Sequence, residues 1–423
     1  MDCTCKLPYG NTEIEVVIPE RNLIGVYSPQ DIQPVTDVKA EVMRALANPI
    51  ASLPLRELVQ GRKNIVIVAD DNTRLTPVDV IIPVILDECN AAGVSDEQIK
   101  VVIALGTHRF MTSEEILAKF GEEVVRRVEI FNHPFRDGDS LVDLGLTENG
   151  TPISINRMVY EADFKIGIGS IVPHHIPGYS GGAKIVQPGV SGEATTAQTH
   201  LLSVRSPRSQ LGILDNPVRR ELNAIARKIG MNTIFNTVLN RHGQVVQGFF
   251  GDLVEAFQAG AAVSREVYSV EIPGEADIVL AGSHPCDIEF WQAHKTLYAA
   301  DRAVREGGII IIVTPCYEGV AMTHSDMVEY TRYSACEIKT MLAEGKIKDH
   351  VAAALAIAWA QVRERASVYF VSDGITAEEV RKLGFVPFSS AQAALNHALS
   401  RQAETAKVVV LTHAPDMLPI IKG

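Results

Sequence analysis

Short apolar runs, each closed by a polar turn, recur along the chain. They are NIVIVAD (64–70), KVVIALG (100–106), ADFKIGIGS (162–170), ADIVLAG (276–282), GIIIIVT (308–314), SVYFVSD (367–373) and KVVVLTH (407–413). Runs this short, without polar alternation, suit strands buried on both faces of a parallel sheet. Helix signals lie between them. Thr76 before Pro77 predicts an N-cap followed by proline at the first helical position. Ser95 to Gln98, Thr112 to Glu115 and Thr376 to Glu379 fit capping boxes. Asn216 opens PVRRELNAIARKIG, which stops at Gly230. GDLVEAFQAGAAVSREVY (251–268) and SSAQAALNHALSRQ (389–402) read as connecting helices. The alternation predicts an α/β protein of two domains, with mostly parallel sheets flanked by helices and the active site in the interdomain cleft. The rhythm restarts after residue 270. The expected division is therefore 1–270 and 271–402, with a last strand within 403–423 that could rejoin the first domain.

In open α/β sheets, ligands bind beyond the carboxyl ends of the strands. The polar clusters of this chain fall at those ends. After the run at 64–70 comes DDNTRLTP, where Asp70, Asp71 and Arg74 precede a helix start and Arg74 could grip a carboxylate. A capped turn with a surface Asp–Arg pair is the equal alternative. His108 follows the next run in GTHRF, a placement suited to acid–base work. Arg109 beside it suits a salt bridge.

The third turn, IVPHHIPGYSGGAK, resembles a phosphate loop but has Ala183 before Lys184 and Ile185 after it, where a phosphate loop needs glycine and a hydroxyl residue. Its glycines still allow a ligand close to the backbone. Ser180 and free amides could hold a phosphate, and Lys184 could serve as a charge or a covalent attachment point. His174 and His200 could both project into the cleft. One histidine is a weak metal signal, so a metal on His200 would need donors from outside the protein. In DIEFWQAHKTLYAADRAV, Gln292 and Lys295 share a helix face. His294 is offset from that face and expected in solvent. Trp359 is expected in a core or interface.

Composition narrows the classes. Of 423 residues 46% are hydrophobic, enough for full-sized cores, and the net charge of −12 argues against a nucleic-acid binder. Six cysteines are too few for a disulfide scaffold in a chain this long and read as reduced thiols. No apolar run approaches membrane-span length, and the first residues lack a signal-peptide core. A cytoplasmic protein is expected. No G-x-G-x-x-G follows the first two runs, against a nicotinamide-dependent dehydrogenase.

Together, DDNTR, GTHR, VPHHIPGYSGGAK, QPGVSG with His200 after it, NPVRREL and FWQAHK resemble, in that order, the nickel-dependent lactate racemase family. The resemblance implies a racemase or epimerase acting at C2 of a 2-hydroxy acid by reversible hydride transfer. It implies a nickel-pincer nucleotide cofactor, a pyridinium-3-thioamide-5-thiocarboxylic acid mononucleotide, built by separate maturation enzymes. By residue, it implies His200 as the nickel ligand and Lys184 as the point of covalent attachment. His108 and His174 become the acid–base pair. Arg74, Gln292 and Lys295 become the substrate contacts. Asp71 becomes a supporting polar residue, and Ser180, Gly181 and Gly182 pack against the mononucleotide. The shared motifs leave lactate, larger aliphatic acids and sugar acids open, and Trp291 beside the gripping face favours a small-to-medium aliphatic acid. His175 is expected to point away. A sugar-acid 2-epimerase with the same chemistry and an inactive cofactor-binding protein are the alternatives.

Overall fold

The computed structural model describes residues 2–422. Two six-stranded sheets form its frame. The first has the order Val245–Gly251, Thr233–Leu239, Phe164–Ser170, Ile65–Asp70, Ile99–Ala104, Glu129–Asn132. All its pairings are parallel except that of Val245–Gly251, which returns antiparallel to Thr233–Leu239. The second has the order Val386–Phe388, Ser367–Val371, Val304–Val313, Ala276–Gly282, Val408–Leu411, Leu23–Tyr27, parallel throughout. Every apolar run read from the sequence is a strand in one of these sheets.

Strand periodicity divides the core. Ile65, Ile67 and Ala69 face one way, against the helices Val38–Ala47, Val78–Ala91 and Ser113–Arg127. Val66 and Val68 face the other way, into a core that continues to Val279, Ile310, Phe290 and Trp359 of the second domain. The two domains thus share one apolar interior. On the far side of the second sheet, Ile278 and Leu280 pack with Leu7, Val16 and Ile18 of the hairpin Asp2–Tyr9/Thr12–Pro19.

Two expectations about connectivity change. The run at 407–413 does not rejoin the first sheet: Val408–Leu411 lies between Ala276–Gly282 and Leu23–Tyr27 of the second, and the final strand, Leu418–Ile421, pairs with Ser269–Ile272 outside both six-stranded sheets. Residues 2–27, grouped by the sequence with the first domain, pack on the second for the same reason. Parallel pairing joins segments far apart in the chain, and no local pattern records the partner. The expected N-cap at Thr76 also fails. Helix Val78–Ala91 starts one residue later, at Pro77, because the Thr76 hydroxyl is taken by the buried Asp70 carboxylate, Oγ1 to Oδ2 2.5 Å. The capping boxes at Ser95, Thr112 and Thr376 and the Asn216 cap all form. Among the described residues no helix is long and apolar enough to cross a membrane.

Trp359 is fully buried, its ring 4.8 Å from Phe290 and 5.3 Å from His294. Trp359→Ala is expected to cost about 3–5 kcal/mol and to lower the urea midpoint, while Trp359→Phe, which keeps an aromatic face against Phe290, costs less.

Candidate active site

Each sheet reverses its winding once. In the first, the chain moves outward from Ile65–Asp70 to one edge, then returns to its other side at Phe164–Ser170. In the second, the corresponding gap lies between Ala276–Gly282 and Val408–Leu411. Such switch points leave a crevice at the carboxyl ends. A cavity, partly open to solvent, opens at the first switch point and is closed by the segment that follows Gly282.

His108, His174, Arg74, Asp71, Lys184, His200, Gln292, Lys295, Ser180 and Gly181 all line this cavity. Gly182 does not. It sits behind, at φ +57°, where a Cβ would come within 2.9 Å of the Phe257 ring. The loop also offers fewer free donors than the sequence suggested. The Ser180 hydroxyl donates to Ser170 O (2.7 Å) and accepts from Val172 N–H, Ser180 N–H is used by Val172 O, and Gly182 N–H by Asn236 Oδ1. The Ser180 and Gly182 amides are thus engaged within their own domain and are not free for a phosphate.

A hydrogen-bond chain crosses the cleft. Lys295 Nζ donates to Gln292 Oε1, and Gln292 Nε2 donates to His108 Nε2 (2.8 Å). His108 Nδ1–H donates to Asp71 Oδ2 (2.6 Å), whose other oxygen accepts from the Thr73 amide and hydroxyl. A carboxylate can only accept, so the chain assigns the proton of His108 to Nδ1 and leaves Nε2 with its lone pair. Burial would raise the Asp71 carboxyl, but the charges and hydrogen bonds of His108, Arg74 and Thr73 outweigh it and hold the group well below the usual range.

The other imidazoles differ. His174 Nδ1 accepts from Ile176 N–H (3.2 Å). Burial, followed by the charges of Lys184, His175, Lys295 and Arg74, pushes His174 well below its ordinary value. His200 stands on the helix Glu193–Ser203 and donates Nδ1–H to Thr196 O (2.8 Å). Burial and then Lys184 lower it to about 4, so at neutral pH its Nε2 carries a free lone pair. Lys184 is pushed well below the ordinary amine value by burial, then by Arg74, Lys295 and Arg219, which favours the uncharged, nucleophilic form. Lys295 falls to about 8 for the same first cause.

These donors suit the implied cofactor. One neutral imidazole nitrogen, oriented by a carbonyl, can complete a metal's donor set when the other donors come from a non-protein group. A neutral buried amine can form a covalent bond to that group.

Several cavity residues escaped the sequence reading. His294 is buried, not solvent-exposed, because the expected helix is interrupted. The helices Phe290–Ala293 and Thr296–Ala303 meet at His294–Lys295, which turns His294 inward against Trp359. His175 does not point away: it borders the cavity, stacked between His174 (4.6 Å) and Tyr298 (4.1 Å). Leu355 and Asn236 reach the cavity from distant elements and carried no motif. Arg109 does form the expected salt bridges, to Glu115 (2.7 Å) and across the cleft to Glu318 (3.1 Å).

Residues 9–212 match the lactate racemase N-terminal domain and residues 271–420 the lactate racemase C-terminal domain. A lactate racemase of Lactiplantibacillus plantarum is 30% identical over 98% of this chain and 98% of its own length. The chain belongs to the lactate racemase family. A lactate racemase of Thermoanaerobacterium thermosaccharolyticum is 32% identical over 74% of this chain and 75% of its own. The fold agrees: the structure of the lactate racemase apoprotein from that organism superposes with a TM-score of 0.88 at 27% identity, covering 99% of this chain and 100% of that one. A crystal structure of a Thermotoga maritima protein shares the fold, with a TM-score of 0.73 at 21% identity over 94% of this chain and all of the other. In this member of the lactate racemase family, the Asp71–His108 pair has a measurable signature. A carboxyl depressed by folding stabilises the protein above its ordinary value of 3.8, and that stability is lost as pH falls below it. The gap in thermal midpoint between the parent and Asp71→Asn is therefore expected to stay constant from pH 7 to about 5 and to shrink below about 4.

Proposed function

We propose that the protein is a racemase that inverts C2 of a 2-hydroxy acid, lactate or a related small-to-medium acid, with a nickel-pincer mononucleotide as its cofactor. The main support is convergence: the imidazoles that would exchange the hydroxyl proton, the cations that would hold a carboxylate, Lys184 and His200 border one cavity. Membership of a family whose named relatives are lactate racemases supports the same reading.

His200 Nε2 would ligate the nickel, and the Lys184 amine would join the mononucleotide. When bound, that group supplies a centre able to accept and return a hydride. Arg74 and Lys295 would hold the substrate carboxylate while the carbon inverts, with Gln292 aligned by Lys295. His108, once the substrate hydroxyl displaces the Gln292 amide from its Nε2 lone pair, would take the hydroxyl proton of one enantiomer as C2 gives up its hydride, leaving a planar 2-keto acid. His174 would return a proton to the oxygen for the opposite hand. Two imidazoles are needed because the hydroxyl lies on opposite sides in the two enantiomers. Burial and then the surrounding cations lower His174 well below its ordinary value. A bound carboxylate offsets those cations and favours the protonated form that a donor requires. Trp291 and Leu355 on the cavity wall suit a short aliphatic side chain. Maturation enzymes would supply the cofactor, and free cysteines at all six positions support a cytoplasmic location.

Hydride transfer has a direct test. Holoenzyme given C2-deuterated lactate in ordinary water is expected to racemise it with the deuterium retained. Wash-out of the label at the rate of racemisation would sink the hydride reading and favour proton abstraction. A second expectation follows from Lys295. Its amine loses charge as pH rises through about 8, so kcat/KM, which reports the free enzyme, should fall above that pH. Lys295→Arg keeps the charge and should move the alkaline limb upward. An unmoved limb would separate Lys295 from carboxylate binding.

A further inference from the structure

The turn carrying His174 and Lys184 belongs to neither sheet, and its carbonyls need partners. The segment 210–219 supplies them. Gln210 N–H donates to His175 O (2.8 Å) and Gly212 N–H to Gly178 O (2.9 Å). Arg219 supplies three more: Nε donates to Pro177 O (3.3 Å), one terminal nitrogen to Gly181 O (3.0 Å) and the other to Tyr179 O. Arg219 is 3% exposed, and its guanidinium lies 4.1 Å from the Phe257 ring centre. All the hydrogen bonds of its guanidinium go to backbone carbonyls, and among the described residues no carboxylate pairs with it.

A buried cation without a counter-charge is costly, and a hydrophobic side chain would fill such a site more cheaply. What arginine adds is a rigid planar fork that can reach three divergent acceptors at once, which a lysine cannot. The placement is specific. Helix Pro217–Lys228 begins at the loop, capped by Asn216, whose side-chain amide also donates to Ile213 O. The loop backbone passes so close that a Cβ on Gly178 would lie 1.9 Å from Ile213 O. The tethered stretch is also short. His174 pairs with Gly178 in a two-residue ladder, and Lys184 follows Gly181 by three residues.

We propose that Arg219 is a positioning residue, whose fork fixes the loop that presents His174 and Lys184 to the cavity. The inference rests on the roles proposed above for those two residues, but its test does not need turnover.

The test uses the full-length chain with Arg219→Lys and Arg219→Met, read by hydrogen–deuterium exchange and by the imidazole resonances of 15N-histidine-labelled protein. Amides of residues 175–184 are expected to exchange at least about tenfold faster in both variants, while the strand Ile65–Asp70 exchanges as in the parent. The His174 resonances should move, and those of His108, held by Asp71 from another loop, should not. In loaded enzyme, kcat should fall with KM little changed, because Arg74 and Lys295 lie outside the loop. Parent-like exchange of 175–184 in either folded variant would overturn the proposal. So would exchange that rises equally throughout the chain, which would mark Arg219 as a general stability residue. If Arg219→Met does not fold, Arg219→Lys, which keeps the charge and loses the fork, carries the test alone.

Discussion

The hydrogen bond from Gln292 to His108 is where the two domains meet in chemistry as well as in packing. On one side, Asp71 fixes the proton of His108 on Nδ1; on the other, Lys295 fixes the amide of Gln292 so that its N–H faces the imidazole. Neither domain alone completes this chain. The lone pair at His108 Nε2 faces the cleft only because Asp71 comes from the first sheet and Gln292 from the segment after the second sheet's Gly282. The contacts beside it run the same way. Arg109 reaches Glu318, Thr107 O accepts from the Thr323 hydroxyl, and the His324 ring bonds Thr107 and Asp349 while stacking on Trp291 at 4.0 Å. The turn that carries His108 is thus gripped on both flanks by the opposite domain, and the position of the imidazole depends on the closed cleft.

The cavity's electrostatics follow from burying cations faster than anions. Arg74, Lys184, Lys295 and Arg219 gather around it. Two of the nearby carboxylates are already committed, Asp71 to His108 and Asp70 to Thr76 and Lys119. Burial first, and then each cation acting on its neighbours, drives the imidazoles and amines toward their neutral forms. The same field favours an anionic ligand, whose arrival would raise the imidazoles beside it again. Glu193, His324 and Asp349 also come close enough to hold a cation, but both His324 nitrogens already have partners and Arg136 occupies Glu193.

The sequence made seven of the twelve strands of the two main sheets legible, and with them the loops that line the cavity. Buried parallel strands write themselves as unbroken apolar runs. The polar residues of a switch-point site must follow such runs directly, which is why Asp71, His108, His174 and Lys184 were legible as loop residues after strands. What tertiary structure decided is everything that depends on which distant segments become neighbours. The partners of Val408–Leu411 and Leu23–Tyr27, the inward turn of His294 and the diversion of Thr76 from capping to Asp70 all arise from contacts between residues remote in the chain. Arg219 shows the limit most sharply. In sequence it is one of two adjacent arginines on an amphipathic helix, and only the fold reveals that it is buried, unpaired by any acid among the described residues and bonded to three carbonyls of the cavity loop. Periodicity encodes which face of an element is apolar. It does not encode what that face will meet, because that is settled by the free energy of the whole packed chain.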